Sequence, residues 1–252
     1  MAYGRLIPAM LLSSGRLVKG HRFGGHEDAG NPVTTARIYN DQMADEIVVL
    51  DIDATPNGRG PDLETLAALT HRCFVPVAFG GGISSVEIAA AALRAGADKI
   101  IVNSAAQTKP SLLTELASQF GSQAVVAAID VIETPAGPRV AADQGRQATA
   151  RKPVEWAAEV SAAGAGEIFL TSVDREGGRG GLDLALTRSV ADAVPIPVIA
   201  HGGVGRLEDF VSAFTEGGAS AVAAGRMFQF ADNNLIKVRR YMVQSGLQLR
   251  SA

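Results

Sequence analysis

The chain of 252 residues contains a single cysteine, 5% aromatic residues and four histidines, and its 23 Lys and Arg nearly balance 26 Asp and Glu. Each scarcity removes a class. One cysteine cannot build a disulfide scaffold, so Cys73, between Arg72 and Phe74, reads as a packed thiol of a reducing compartment. A net charge of −3 provides no field to gather nucleic acid or an anionic membrane, and any anion must be bound by local groups. No apolar run approaches the ~18 residues needed to cross a bilayer, and no basic segment followed by an apolar one opens the sequence. These features predict a cytoplasmic protein without membrane or nucleic-acid partners. No two histidines have ligand spacing, which predicts no metal and no metal cofactor.

What is present is a repeating pattern. Short runs rich in Val, Ile and Leu are each followed by a Gly-, Asn- or Ser-punctuated loop and then an Ala-rich stretch of helical period. Eight strands are predicted, over 5–12, 46–51, 75–80, 98–103, 124–130, 167–172, 197–201 and 219–224. They lack polar alternation, as parallel strands covered on both faces do. The expected fold is α/β, a single (β/α)8 barrel over residues 1–252.

The two halves also resemble each other. ADEIVVLDID, 44–53, aligns with AGEIFLTSVD, 165–174, pairing Asp53 with Asp174 at an offset of 121, and FGGGIS, 79–84, aligns with AHGGVG, 200–205, at the same offset. RAGADKIIVNS, 94–104, aligns with EGGASAVAAGR, 216–226, pairing Gly96 with Gly218 at 122. A near-constant offset over three segments implies a doubled half-barrel.

In such a barrel function gathers at the C-terminal ends of strands. Gly81 and Gly82 follow strand 3, and Gly202 and Gly203 follow strand 7. With Asn103 and Ser104 after strand 4, and Ala224 and Gly225 after strand 8, they make two cradles where backbone can approach a phosphate. Two cradles related by the repeat suggest a ligand with phosphate at both ends. Asp130 ends the otherwise apolar strand AVVAAID and is the candidate general acid or base, with a loop cap as its structural alternative. Asp51 ends strand 2; Asp174 and Glu176 lie in the loop after strand 6. Thr171 and Ser172 are candidate hydroxyl donors or loop-packing groups, and His201 adjoins a glycine pair. Lys19, in the loop GRLVKG, is a cation able to close over an anionic ligand or to remain solvated. Residue 11, the counterpart of Asp130 in the first half, is Leu, which cannot transfer protons.

At the opposite end Arg5, Glu46, Lys99 and Glu167 begin strands 1, 2, 4 and 6. These alternating charges should ring the bottom of the barrel, as a structural plug or a functional gate.

RLIPAMLLSSGRLVKG, ADEIVVLDI, FGGGISSVE, LRAGADKIIVNSAA, FGSQAVVAAID, GAGEIFLTSVDREG and IPVIAHGGVG together resemble the HisF family, cyclase subunits of imidazole glycerol phosphate synthase, over nearly the whole chain. The resemblance implies a barrel that takes ammonia from a glutaminase docked on its bottom face and uses it at the top on a phosphorylated substrate. Carried over, it implies Asp130 as a catalytic acid/base, Lys19 as the loop lysine, and Gly81, Gly82, Asn103, Gly203 and Gly225 as phosphate sites. It also implies Arg5, Glu46, Lys99 and Glu167 as the ammonia gate. The chain departs from that family at Leu11, where the other catalytic Asp is usual, at Glu176 and at His201. IPAMLL resembles paralogues that serve a sugar amidotransferase in surface-polysaccharide biosynthesis. Three readings follow: an ammonia-accepting paralogue supporting amidation, a true cyclase subunit of histidine biosynthesis, and a catalytically silent conduit.

Overall fold

The computed structural model describes residues 3–229 and 233–249, so the ends of the expected 1–252 span lie outside the described residues. Eight parallel strands close on themselves: β1 Arg5–Ser13, β2 Ile47–Asp51, β3 Val77–Gly80, β4 Lys99–Val102, β5 Val125–Ile132, β6 Glu167–Ser172, β7 Val198–His201 and β8 Ala221–Ala224. Each pairs with its neighbours in sequence, and β8 pairs with β1 to shut the ring. This is the (β/α)8 barrel, as expected.

The strands start later than expected where proline precedes them. Pro76 and Pro197 have no N–H to give the ladder, and the regular strands begin at Val77 and Val198. Helices return the chain between strands, and their starts are written in side chains: Asn31, Asp62, Ser85, Asp183 and Asn234 each cap the N–H three residues on.

Alternation sends one side of every strand into the barrel and the other outward against the helices. The inner core stacks Ile7, Val48, Ile101, Val126, Phe169 and Ile199 with several alanines. The outer core holds the bulk, including the fully buried Phe79, Trp156 and Phe210. The lone Cys73 is buried there, its Sγ 3.7 Å from the Val75 carbonyl, and burial raises its thiol pKa.

The halves match in geometry too. Each opening strand, β1 and β5, runs on into an antiparallel hairpin, with Leu11 opposite Val18 in one and Val131 opposite Val140 in the other. Asp53 Oδ2 accepts from Ser14 N at 2.9 Å, and Asp174 Oδ2 from Glu133 N at 2.7 Å, tying loop to loop in each half. Gly81 and Gly202 both have positive φ, +99° and +96°, and lie against the backbone of the preceding strand's end. A Cβ there would stand 2.0 Å from Asp51 O and 2.5 Å from Ser172 O respectively, so no other residue fits.

Candidate functional site

At the C-terminal mouth, four adjacent strands present polar side chains side by side. In register, Thr171 of β6 pairs with Asp130 of β5 and with His201 of β7, and Asn103 follows β4. Asn103 Nδ2 donates to Asp130 Oδ2 at 2.6 Å, and the Thr171 hydroxyl is hydrogen-bonded to the same carboxylate. Thr171 Oγ1 also lies 3.2 Å from His201 Nδ1. The imidazole rests on Phe169 with ring centres 5.0 Å apart.

Asp130 keeps partial contact with solvent, but the protein around it strips enough water to push its pKa up to about 6. Hydrogen bonds from Asn103 and Thr171 pull against that rise, and the Glu176 charge adds to it. His201 moves the other way: burial, and then the nearby Lys19 ammonium, lower its pKa to about 4, so the ring is neutral near pH 7. One carboxyl is thus poised to exchange a proton near neutrality, beside a neutral imidazole.

Lys19 corrects an expectation. It is not on an open loop but on the hairpin strand Arg16–His21, paired with Gly24–Gly30, and only 3% exposed. The hairpin forms because Ser14 and Gly15 both take positive φ, the two-residue turn that matches strand twist. A second such turn uses Arg22 and Phe23, φ +50° and +59°. Folded this way, Lys19 Nζ makes a buried ion pair with Glu176 Oε1. Burial alone would raise the Glu176 pKa; Lys19 reverses this, and the net shift is downward.

Asp51 is also placed differently from a ligand-facing carboxylate. Arg59 grips it with two bonds of 2.7 and 2.9 Å, and Asp62 N donates to it at 2.9 Å, so it fastens the loop after β2. Gly81, Gly82 and Asn103 are half-buried and Ser104 is exposed, whereas Ser172, Gly202, Gly203, Ala224 and Gly225 are buried. Leu11 is buried, flanked in register by Val18 and Leu50, so its sheet neighbours bring no ionisable group.

At the N-terminal end the four charges form a closed ring. Arg5 bonds Glu46 at 2.9 Å and also Glu167; Lys99 bonds Glu46 at 2.7 Å and Glu167 at 2.9 Å. Glu46 Oε1 is buried without a partner.

Sequence reasoning missed Gln107. Its Nε2 donates to Asn103 Oδ1 at 2.9 Å and to Ala141 O at 3.0 Å, which turns the Asn103 amide so that its NH2 faces Asp130. The four-residue spacing of Asn103 and Gln107 at a helix start was the available signal. Arg59 left none, because its partner lies eight residues back across an irregular loop.

A family model described as histidine biosynthesis protein matches residues 5–233. The imidazole glycerol phosphate synthase subunit HisF of Hyphomonas neptunium is 45% identical over 247 residues, covering 98% of both chains. The chain belongs to the HisF family. Within a HisF scaffold, the mouth described above and the ring below it lie at opposite ends of one barrel, joined by an inner core of small and aliphatic residues.

Proposed function

We propose that this HisF-family chain is the synthase-side subunit of a glutamine amidotransferase. It receives ammonia from a HisH-like glutaminase docked at the N-terminal face, binds a phosphate-bearing ligand at the mouth, and has lost most imidazole glycerol phosphate cyclase and lyase chemistry. On this reading it serves amidation in polysaccharide sugar biosynthesis, with a sugar amidotransferase as a further partner. One observation carries it: where the barrel's repeat puts a partner for Asp130, the chain has Leu11 among hydrocarbon neighbours.

Asp130, with a pKa near 6, takes a proton from bound ligand and returns it, while Asn103 and Thr171 hold its carboxylate in place. Lys19, held by Glu176 on the hairpin at the mouth, supplies positive charge to an anionic ligand when that ion pair parts. The charge ring admits ammonia at the floor by parting ion pairs between β1, β2, β4 and β6. A general acid or base contributes ~10² to 10⁴-fold, so a site with one proton-transfer group where two are needed is a slow cyclase at best.

The second reading, a working cyclase subunit of histidine biosynthesis, is favoured by the 45% identical relative named for that enzyme. Purified protein supplied with the bis-phosphate substrate and ammonium salt separates the two. We expect turnover at least ~10²-fold below that of a two-carboxylate cyclase. A full rate would establish the second reading and defeat both the first and that of a silent conduit.

A further inference from the structure

His201, where the chain departs from the HisF pattern, is joined to Asp130 by a single side chain. β6 lies between β5 and β7, and in register Thr171 stands between Asp130 and His201. Its hydroxyl is bonded to the Asp130 carboxylate, and Oγ1 lies 3.2 Å from His201 Nδ1. Carboxyl, hydroxyl and imidazole form one line across three neighbouring strands.

A hydroxyl has one hydrogen, and that sets the direction of the line. With Asp130 ionised, Thr171 gives its hydrogen to the carboxylate, so His201 donates Nδ1–H to Oγ1 and carries its lone pair on Nε2. That nitrogen has no hydrogen-bond partner among the described residues, and His201 lines a recess at the mouth together with Gly203 and Gly225. With Asp130 protonated every bond reverses: the carboxyl donates to Oγ1, Thr171 donates to Nδ1, and the ring proton sits on Nε2. The charged groups facing this line are Lys19 on the hairpin, Glu176 after β6 and Arg226 after β8, while β4 adds only the neutral Asn103. Burial and the Lys19 ammonium oppose an imidazolium. The line does not require one, because the ring gives up one proton as it takes another.

We propose that His201 is the ligand-facing end of a proton relay and carries a ligand proton through Thr171 to Asp130. In one transfer a ligand O–H or N–H bond breaks and Nε2–H forms. Nδ1–H breaks and a new Oγ1–H forms, while the original Thr171 O–H breaks and a carboxyl O–H forms. The ligand keeps the electron pair, Asp130 loses its charge, and His201 and Thr171 end as neutral as they began. Only one proton moves, so the relay lengthens the reach of Asp130 without supplying the second acid or base that Leu11 lacks. This rests on the reading that Asp130 exchanges a proton with a ligand bound at the mouth.

Nitrogen NMR of the full-length chain, isotope-labelled at histidine, reads the tautomer of each ring, and His201→Gln identifies the His201 signals among the four histidines. Between about pH 5 and 7.5 Asp130 titrates while the His201 ring stays neutral. We expect the ring proton to move from Nε2 to Nδ1 as pH rises through about 6, with the same midpoint as the Asp130 carboxyl carbon. Thr171→Ser keeps the hydroxyl and should keep the switch, whereas Thr171→Val and Asp130→Asn should each hold one tautomer at every pH. A single tautomer throughout in the unaltered chain, or a switch that survives Thr171→Val, would overturn the proposal. Circular dichroism shows whether each variant folds; should Thr171→Val fail to do so, a switch that persists in Asp130→Asn is equally fatal. The readout needs no turnover, so a full cyclase rate would defeat the amidation reading and leave the relay standing.

Discussion

Leu11 and Asp130 occupy the same rung of the barrel's inner face in its two halves. Ile7 and Ala9 precede one as Val126 and Ala128 precede the other, and all four belong to the inner core. At equivalent places the chain therefore carries a hydrocarbon and a carboxyl with pKa near 6.

Leu11→Asp restores a second carboxyl. Exchanging a buried leucine for a carboxylate should cost about 2–4 kcal/mol, read as a lower thermal midpoint. Cyclisation of the bis-phosphate substrate should rise if the missing carboxyl was the obstacle. A variant that folds and stays inactive shows that Leu11 was not the only change that matters.

Charge reversal at Lys99 would set a third carboxylate beside Glu46 and Glu167 and break the ring. Glutamine-dependent turnover in the complex with glutaminase should fall severalfold while ammonium-dependent turnover is kept. Equal losses with both nitrogen sources would make the ring a structural plug.

The pH response of stability should reveal two opposed titrations. Asp130, raised from 3.8 to about 6, holds its proton more tightly folded than unfolded; its contribution is present below about 4 and is lost as pH rises through 6. His201, lowered from 6.5 to about 4, resists a proton that the unfolded chain accepts; its contribution is present above 6.5 and is lost as pH falls to 4. Between pH 4 and 6 the two slopes offset. Relative to wild type, Asp130→Asn should gain stability with rising pH in this window, and His201→Gln should lose it. Parallel melting curves for all three proteins would contradict the assigned shifts.

Gln107→Leu should release the Asn103 amide. With its orientation no longer fixed, the bond that lowers the Asp130 pKa weakens, and the carboxyl carbon should titrate above 6 by NMR. An unchanged midpoint would show that Asn103 keeps its orientation unaided.

Arg59→Ala would strip the buried Asp51 of its counter-ion. Breaking a fully buried pair costs roughly 3–5 kcal/mol, and because the Arg59 side chain is 39% exposed and bonds from Asp53 N and Asp62 N remain, the loss should fall below that range, at about 1–2 kcal/mol. Chemical denaturation measures it directly.

The barrel was legible because its signals are local and repeated: short apolar strands, glycines after them, and an offset that matches Asp53 with Asp174, each of which ties a loop. The charge ring was legible because residues at strand starts share one face of the barrel. Lys19 was not, since its burial depends on a hairpin whose second turn puts Arg22 and Phe23 in left-handed backbone, against their propensity. The Arg59 grip on Asp51 was not legible either, because a place at a strand end says nothing of which loop residue folds back to bind it.

On the proposed function, the ring would also set terms for a molecule crossing the floor. Its charges cancel and each cation already holds both carboxylates, so an ion gains nothing by approaching, while a neutral molecule forfeits nothing. Glu46 Oε1 alone among the ring's carboxylate oxygens has no donor. On the proposed function, an entrance so built would discriminate by chemistry rather than by width, favouring a small uncharged visitor with a hydrogen to share.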